Sequence, residues 1–367
     1  MAPVKGQRAI THFVPRVALA VRDLEMLNHY KGILLNMPRE STCVLGSWDV
    51  AEEKDPIIAF ARKHGYQAIS PKRAYETGMK FAVMVSHHPF IFKDQNRPKL
   101  VDLAHTHVRL MYALGKAGWN FREWNKMYHT VLCWGPYHAE MLAKYPKIQT
   151  KQIGYPRFDS YFDNSLNRDK ILQDLGCDPK KLVVTWLPTW STLSSVATYS
   201  DAVAKLKDDY NLLVKLHPGM YADAKSMEIL RKNGIPLLSD RYINNVQMFY
   251  VTDYVLADYG GSPFGAIYTG KKLLLLNIED AAQSKLMGED SLDLKIRDWV
   301  LNIDADKRFD IPKILADDTI WERQMSQYAD ERAYFFAPYH GNSGRVAAHT
   351  LLDMLLNEIT SPSRMIS

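Results

Sequence analysis

The chain has 367 residues, enough for two domains and for a sizeable core without disulfide staples. Hydrophobic residues make up 47% and charged residues 24%, which excludes global disorder. The balance of 46 basic against 41 acidic residues gives a net +5, which suits phosphorylated substrates or an anionic membrane surface; the Lys and Arg residues are scattered, so no nucleic-acid partner is expected.

The opening residues 1–10 are polar and basic, and no apolar run with a small-residue cleavage site follows, so no secretory signal is expected. The longest apolar stretches, such as 273–276, fall far short of the roughly 20 residues that cross a bilayer. Cys43, Cys133 and Cys177 are widely spaced and form no CxxC pair. That argues against a disulfide framework and a zinc site, and for a reducing, cytoplasmic setting with at most peripheral membrane contact.

Short apolar runs alternate with helix-like segments. The candidate strands of the first half are 42–45, 66–69, 81–85, 100–104 and 130–134; those of the second half are 182–187, 211–216, 236–238, 254–257 and 272–276. Most lack two-residue alternation and are rich in Val, Leu and Ile, as strands buried on both faces are. Helical patterns cover 55–64, 168–175 and 200–208, and an amphipathic stretch covers 343–358. The expected fold is α/β with parallel sheets and right-handed crossovers. The polar stretch 163–167 suggests a division into 1–165 and 166–342, with the final helix, 343–367, returning to the first domain by analogy.

Chemistry-bearing residues recur at the ends of these strands. His87 and His88 form one pair, and His105 and His107 flank Thr106 in a second. His105 reads as a base for an attacking hydroxyl or, with His107, as half of a metal site; Asp102 is the one acidic neighbour in sequence, which weakens the metal reading. The segment Gly154-Tyr-Pro-Arg157-Phe-Asp159 offers Arg157 as a bidentate phosphate contact or as a structural ion pair. Pro188-Thr189-Trp190 follows a strand, and Trp190 reads as a base-stacking ring or as core. Lys215-Leu-His217-Pro218 ends another strand, and His217 either donates to a phosphate oxygen or bonds a local carbonyl. Asp258-Tyr-Gly260-Gly261-Ser262 ends a third and opens a helix. Its glycines and first helical amides suit a diphosphate, with Ser262 as cap or phosphate donor; a ligand-free turn is the alternative.

In this order the segments resemble the CDP-glycerol glycerophosphotransferase family, whose G-x-P-R-x-D, P-T-W, K-L-H-P and D-Y-S-S motifs are similar to residues 154–159, 188–190, 215–218 and 258–261. The pattern spans roughly residues 100–350. The resemblance implies a glycosyltransferase-B architecture, two Rossmann-like domains facing a cleft, and transfer of a polyol phosphate from a CDP-linked donor to a saccharide or polyol-phosphate acceptor in cell-surface polymer synthesis. It implies His105 as the base and His217 as a donor-phosphate ligand, with Pro188, Thr189, Asp258, Gly260, Gly261 and Ser262 lining the donor site. Two residues depart from the pattern: Thr106 stands where the family has glycine, and Gly260-Gly261 stand where it has two serines. The glycine pair keeps open a UDP-sugar glycosyltransferase or epimerase on the same fold, and the two departures together keep open a non-catalytic binding protein. No tightly bound cofactor is expected, and no acidic DxD-type pair at a strand end announces a metal.

Overall fold

The computed structural model describes residues 12–48, 50–87, 100–238, 240, 243–288 and 290–360. Two compact units emerge: one of Met1–Met111, Glu123–Asp159 and Ala337–Ser367, the other of Tyr112–Arg122 and Ser160–Phe336. The short piece Tyr112–Arg122 joins the second unit although it lies early in the chain. Its backbone is tied there, because Gly118 N–H donates to the Met287 carbonyl at 2.7 Å and Lys116 N–H donates to the Asp293 carboxylate.

The first unit holds seven parallel strands: β1 (His12–Ala20), β2 (Thr42–Leu45), β3 (Gln67–Ile69), β4 (Met79–Ser86), β5 (Ala104–Leu110), β6 (Thr130–Cys133) and β7 (Gln149–Gln152), in the order β3-β2-β1-β4-β5-β6-β7. β1 and β7 are absent from the expected set. β1 carries Pro15, which reads as a break because proline cannot donate to a ladder; the strand absorbs it with a register shift between Val14 and Val17. β7, Gln-Thr-Lys-Gln, is a polar edge strand, and charge on an edge discourages further pairing. The expected strand 100–104 is corrected: Leu100–Leu103 is a 3-10 turn and the strand begins at Ala104.

The second unit holds five parallel strands: β8 (Val183–Leu187), β9 (Asn211–Val214), β10 (Tyr254–Ala257), β11 (Lys272–Leu276) and β12 (Asn302–Ile303), in the order β12-β11-β10-β8-β9. The order reverses between β8 and β10, and open α/β sheets take ligands at the carboxyl ends of such strands. All four residues of β10 and all five of β8 are buried, which explains why β10 is wholly apolar and β8 is apolar but for Thr185. One face packs Val184, Trp186, Tyr199, Leu256 and Leu274 into a single core. The expected strand 236–238 is not a strand; Leu238 N–H makes one bond to the Val214 carbonyl at 3.2 Å.

Helices fall where the periodicity predicts them, with shifted ends. Asp55 caps Pro56–Lys63 through Ile57 N–H at 2.8 Å, and Asn167 caps Arg168–Asp174 through Lys170 N–H at 2.9 Å. The helix expected over 200–208 runs over Val196–Val203 and tightens into a 3-10 turn, Ala204–Lys207. The last helix is Ser343–Thr360; of the expected 343–367, residues 361–367 lie outside the described residues.

Candidate functional site

Three neighbouring strands of the second unit deliver the motif residues to one sheet edge. Pro188, Thr189 and Trp190 follow β8, Lys215 to His217 follow β9, and Asp258 to Gly261 follow β10. The strand order β9-β8-β10 therefore brings together three segments that are 29 to 70 residues apart in sequence, as judged from Pro188, His217 and Asp258.

Asp258 organises the edge. It is fully buried, and its carboxylate accepts from Thr189 N–H at 2.8 and 3.1 Å, from Ser195 N–H at 2.8 Å and from Tyr259 N–H at 2.7 Å. Burial pushes the Asp258 carboxyl up, and the N–H donors from Ser195, Tyr259 and Thr189 work against that rise. Expected as a donor ligand, Asp258 is instead a positioning residue, because its oxygens are already occupied by backbone amides. Ser195 adds a second tie, its hydroxyl accepting from Trp186 Nε1–H at 3.0 Å.

A second buried carboxylate, Asp293, does the same for the glycine turn. Its Oδ1 accepts from Gly260 N–H at 2.6 Å, and its Oδ2 accepts from the Ser291 hydroxyl at 2.9 Å and from Lys116 N–H. Position 115 must be glycine, since a Cβ there would collide with this carboxylate. Arg297 braces the pair: it donates to the Asp258 carbonyl at 2.9 Å and to Asn277 Oδ1 at 2.8 Å, and it lies 3.9 Å from the Tyr259 ring centroid. Burial lowers the Arg297 pKa.

Gly260 adopts φ +103, a left-handed-side conformation that side chains resist. Gly261 has ordinary φ, and a Cβ added to it would meet nothing within 4 Å. The helix Ser262–Thr269 starts there, and Pro263 in its first turn has no N–H to satisfy. Gly261, not Ser262, is the N-cap, and no side chain caps the helix. The Ser262 hydroxyl is thus not used as a cap, and the amides of Gly261 and Ser262 carry no hydrogen bond to the described residues. Such amides at a helix start favour an anion.

In the loops after β8 and β9, His217 and Trp190 stack with ring centroids 5.8 Å apart and planes 26° apart. Trp190 is 41% exposed, so it is not core. His217 Nδ1 accepts from Gly219 N–H at 3.1 Å, which places the proton of the neutral ring on Nε2. That is the tautomer a phosphate oxygen needs. Lys215 is buried, and its ammonium holds the Ile243 carbonyl at 2.8 Å and Asn245 Oδ1 at 2.6 Å.

Two expected site residues lie elsewhere, in the first unit. Arg157 is buried and ion-paired with Glu25 at 2.8 Å, with His29 Nε2 at 2.9 Å from its other terminal nitrogen. The expected phosphate contact is replaced by an internal pair. Asp159, from the same motif, accepts from Ser343 N–H at 3.0 Å and Gly344 N–H at 2.6 Å, anchoring the start of the last helix. His105 also needs correction. It was expected at a strand's carboxyl end, but it is the second residue of β5, five residues before Leu110 and so about 16 Å from the edge where such sheets bind ligands. Its neighbour Thr106 bonds Glu358 of the last helix, and His107 N–H donates to His129 Nδ1 at 3.0 Å. His87 does follow the end of β4 and is buried; His88 lies outside the described residues.

Lys116, Asp293 and Arg297 are the residues that sequence reasoning missed. A lysine set between Gly115 and Gly118 was the one available signal; Asp293 and Arg297 sit in an unremarkable helical turn. Among the described residues no group of three or more His, Cys, Asp or Glu side chains is gathered as a metal site.

Two all-parallel sheets, one of order 3-2-1-4-5-6-7 and one of order 2-1-3-4-5 with an anion-type turn at its switch point, define a glycosyltransferase-B type α/β protein. Residues 117–265 match the family model described as CDP-Glycerol:Poly(glycerophosphate) glycerophosphotransferase, which bears out the resemblance seen in the motifs. Among solved structures, the chain is similar to the wall teichoic acid polymerase TagF in a variant soaked with CDPG: 14% identity, TM-score 0.67, covering 94% of this chain and 90% of that one. It is also similar to UDP-GlcNAc 2-epimerase from Neisseria meningitidis bound to UDP-GlcNAc, at 11% identity and TM-score 0.62, with 92% and 100% covered. A third is S. aureus MnaA in complex with UDP, at 11% identity and TM-score 0.59, with 94% and 98% covered. At these identities the structural likeness establishes the fold. No curated protein sequence matches the chain.

Proposed function

We propose that the chain is a transferase that moves a polyol phosphate, glycerol phosphate-like, from a CDP-activated donor to a hydroxyl of a saccharide or polyol-phosphate acceptor in cell-surface polymer synthesis. One observation carries this reading: the P-T-W, K-L-H-P and D-Y-G-G segments meet at one switch-point edge, inside the segment matched by the glycerophosphotransferase family model.

In this reading the donor's diphosphate sits on the Gly261 and Ser262 amides, with the Ser262 hydroxyl and His217 Nε2–H as further donors. Trp190 forms an exposed wall beside His217. The acceptor oxygen attacks the phosphorus that bears the polyol. A new O–P bond forms, the P–O bond to CMP breaks, CMP leaves with the electron pair, and the acceptor proton passes to a base or to water. The donors around the turn stabilise charge on the departing phosphate without reorganising. Asp258 and Asp293 supply that preorganisation by fixing the loops. A nucleotide donor puts the reaction on the cytoplasmic side. A net +5 suits contact with the anionic inner face of the membrane, and among the described residues no helix is long and apolar enough to cross it.

The test is a thermal-shift panel of CDP, CDP-glycerol, UDP and UDP-N-acetylglucosamine, since a ligand that binds only the native state raises its melting temperature. Stabilisation by the cytidine compounds, followed by CMP release from CDP-glycerol with a polyol-phosphate acceptor, is expected. Stabilisation by the uridine compounds alone overturns the donor assignment.

A further inference from the structure

The loop that leaves the carboxyl end of β5 enters the second unit and ends in Lys116. Its backbone is left-handed, with φ +57 and ψ +54, a conformation that costs a lysine of the order of 1 kcal/mol or more. Asp293 holds it there by accepting its N–H. The strain has a visible result. The ammonium is delivered over the glycine turn, where it donates to the Thr189 hydroxyl at 3.0 Å and lies 5.8 Å from the Trp190 ring centroid. A Cβ at position 260 would lie 3.4 Å from this nitrogen and 3.6 Å from the Thr189 hydroxyl oxygen. Those are ordinary contact distances, so the ammonium lies directly against the turn, and it is the φ of +103 rather than lack of space that reserves position 260 for glycine.

The ammonium is left with little compensation. Burial lowers its pKa, while Asp293 and Asp258 pull it back up from a distance. Both of those carboxylates accept backbone N–H groups, and among the described residues none forms an ion pair with Lys116. One hydroxyl therefore serves three N–H donors on a partly buried cation, a costly arrangement unless an anion completes it. The unbonded amides of Gly261 and Ser262 belong to the same turn.

We propose that Lys116 is a phosphate-binding residue, the fixed cation of a diphosphate seat formed with Thr189 and the Gly260-Gly261-Ser262 turn. The inference rests on the reading of this edge as the nucleotide-donor site and adds to it a residue outside the segment matched by the family model, which begins at 117.

The experiment is calorimetric titration of the whole wild-type chain and of Lys116→Met, Lys116→Gln and Lys116→Arg with inorganic pyrophosphate, CDP and UDP, alongside melting temperatures. Loss of a charge-assisted contact weakens pyrophosphate and nucleoside diphosphate binding roughly 10- to 100-fold in the Met and Gln variants. Lys116→Arg restores most of it, and the melting temperature of the Met and Gln variants is unchanged or higher. A merely structural lysine would instead lower the melting temperature without this dependence on charge. Pyrophosphate affinity equal to wild type in a folded Lys116→Met or Lys116→Gln protein overturns the proposal, as does a wild-type chain that binds neither pyrophosphate nor either nucleotide. Should the wild type bind UDP but not CDP, with the loss still tracking the charge at 116, Lys116 keeps its role and the cytidine-donor reading falls.

Discussion

The Gly154–Asp159 segment and the Asp258–Ser262 turn look alike in sequence: each mixes glycine with charged residues. In the structure they are opposites. Every charged group of the first has a partner in its own unit, Arg157 with Glu25 and His29, Asp159 with the start of the last helix. Even Gly154, at φ +75, is closed over, since a Cβ there would collide with Ser343. The second segment also has a saturated carboxylate, Asp258, but the groups around it stay available: the amides of Gly261 and Ser262, the space above Gly261 and the Lys116 ammonium. A charged motif can bind a ligand only where its polar groups are not already used to hold the fold.

The sharpest way to break this contrast is to remove one charge from each region. Asp258→Ala leaves several buried N–H groups without an acceptor, which costs about 3 to 5 kcal/mol and disorders the donor loops. Urea denaturation and CDP titration should show both losses together. Arg157→Ala breaks the buried ion pair with Glu25 and costs a similar amount, about 3 kcal/mol, yet CDP affinity of the folded protein stays within about twofold. A large loss of CDP affinity without loss of stability in Arg157→Ala would put the arginine back at the ligand.

The two glycines of the turn sharpen the contrast at single-residue scale. Gly260→Ala places a side chain at φ +103 against Lys116, so a cost of about 1 to 2 kcal/mol and weaker pyrophosphate binding are expected. Gly261→Ala meets open space at ordinary φ, and its stability should stay within about 0.5 kcal/mol. Equal effects at both positions would contradict the observed geometry of the turn. The smallest effect is expected at His105. Sited near the amino end of β5, its replacement by alanine should change the turnover number less than about threefold; a loss of a hundredfold or more would restore it as the base.

The sequence was legible where single runs of chain carried the signal. The buried strands β8, β10 and β11 could be read from dominantly apolar runs, and the loops after β8, β9 and β10 from polar residues directly behind such runs. β1 and β7 were not legible, because Pro15 and a fully polar edge hide a strand from any hydrophobicity pattern. His105 was misplaced for a related reason: the polar run 105–107 looks like a strand end but lies inside β5.

By itself the sequence determined the α/β class, the parallel sheets and the motif loops that form the donor edge, because burial of both strand faces and the chemistry of turns are local properties. Only the tertiary structure decided which charged residues face a ligand. Lys116, Thr189, Gly260 and Asp293 are separated by up to 177 residues between Lys116 and Asp293, and no local pattern links them. Their pairing depends on strand order, and on which hydrogen-bonding groups remain once the fold has satisfied its own.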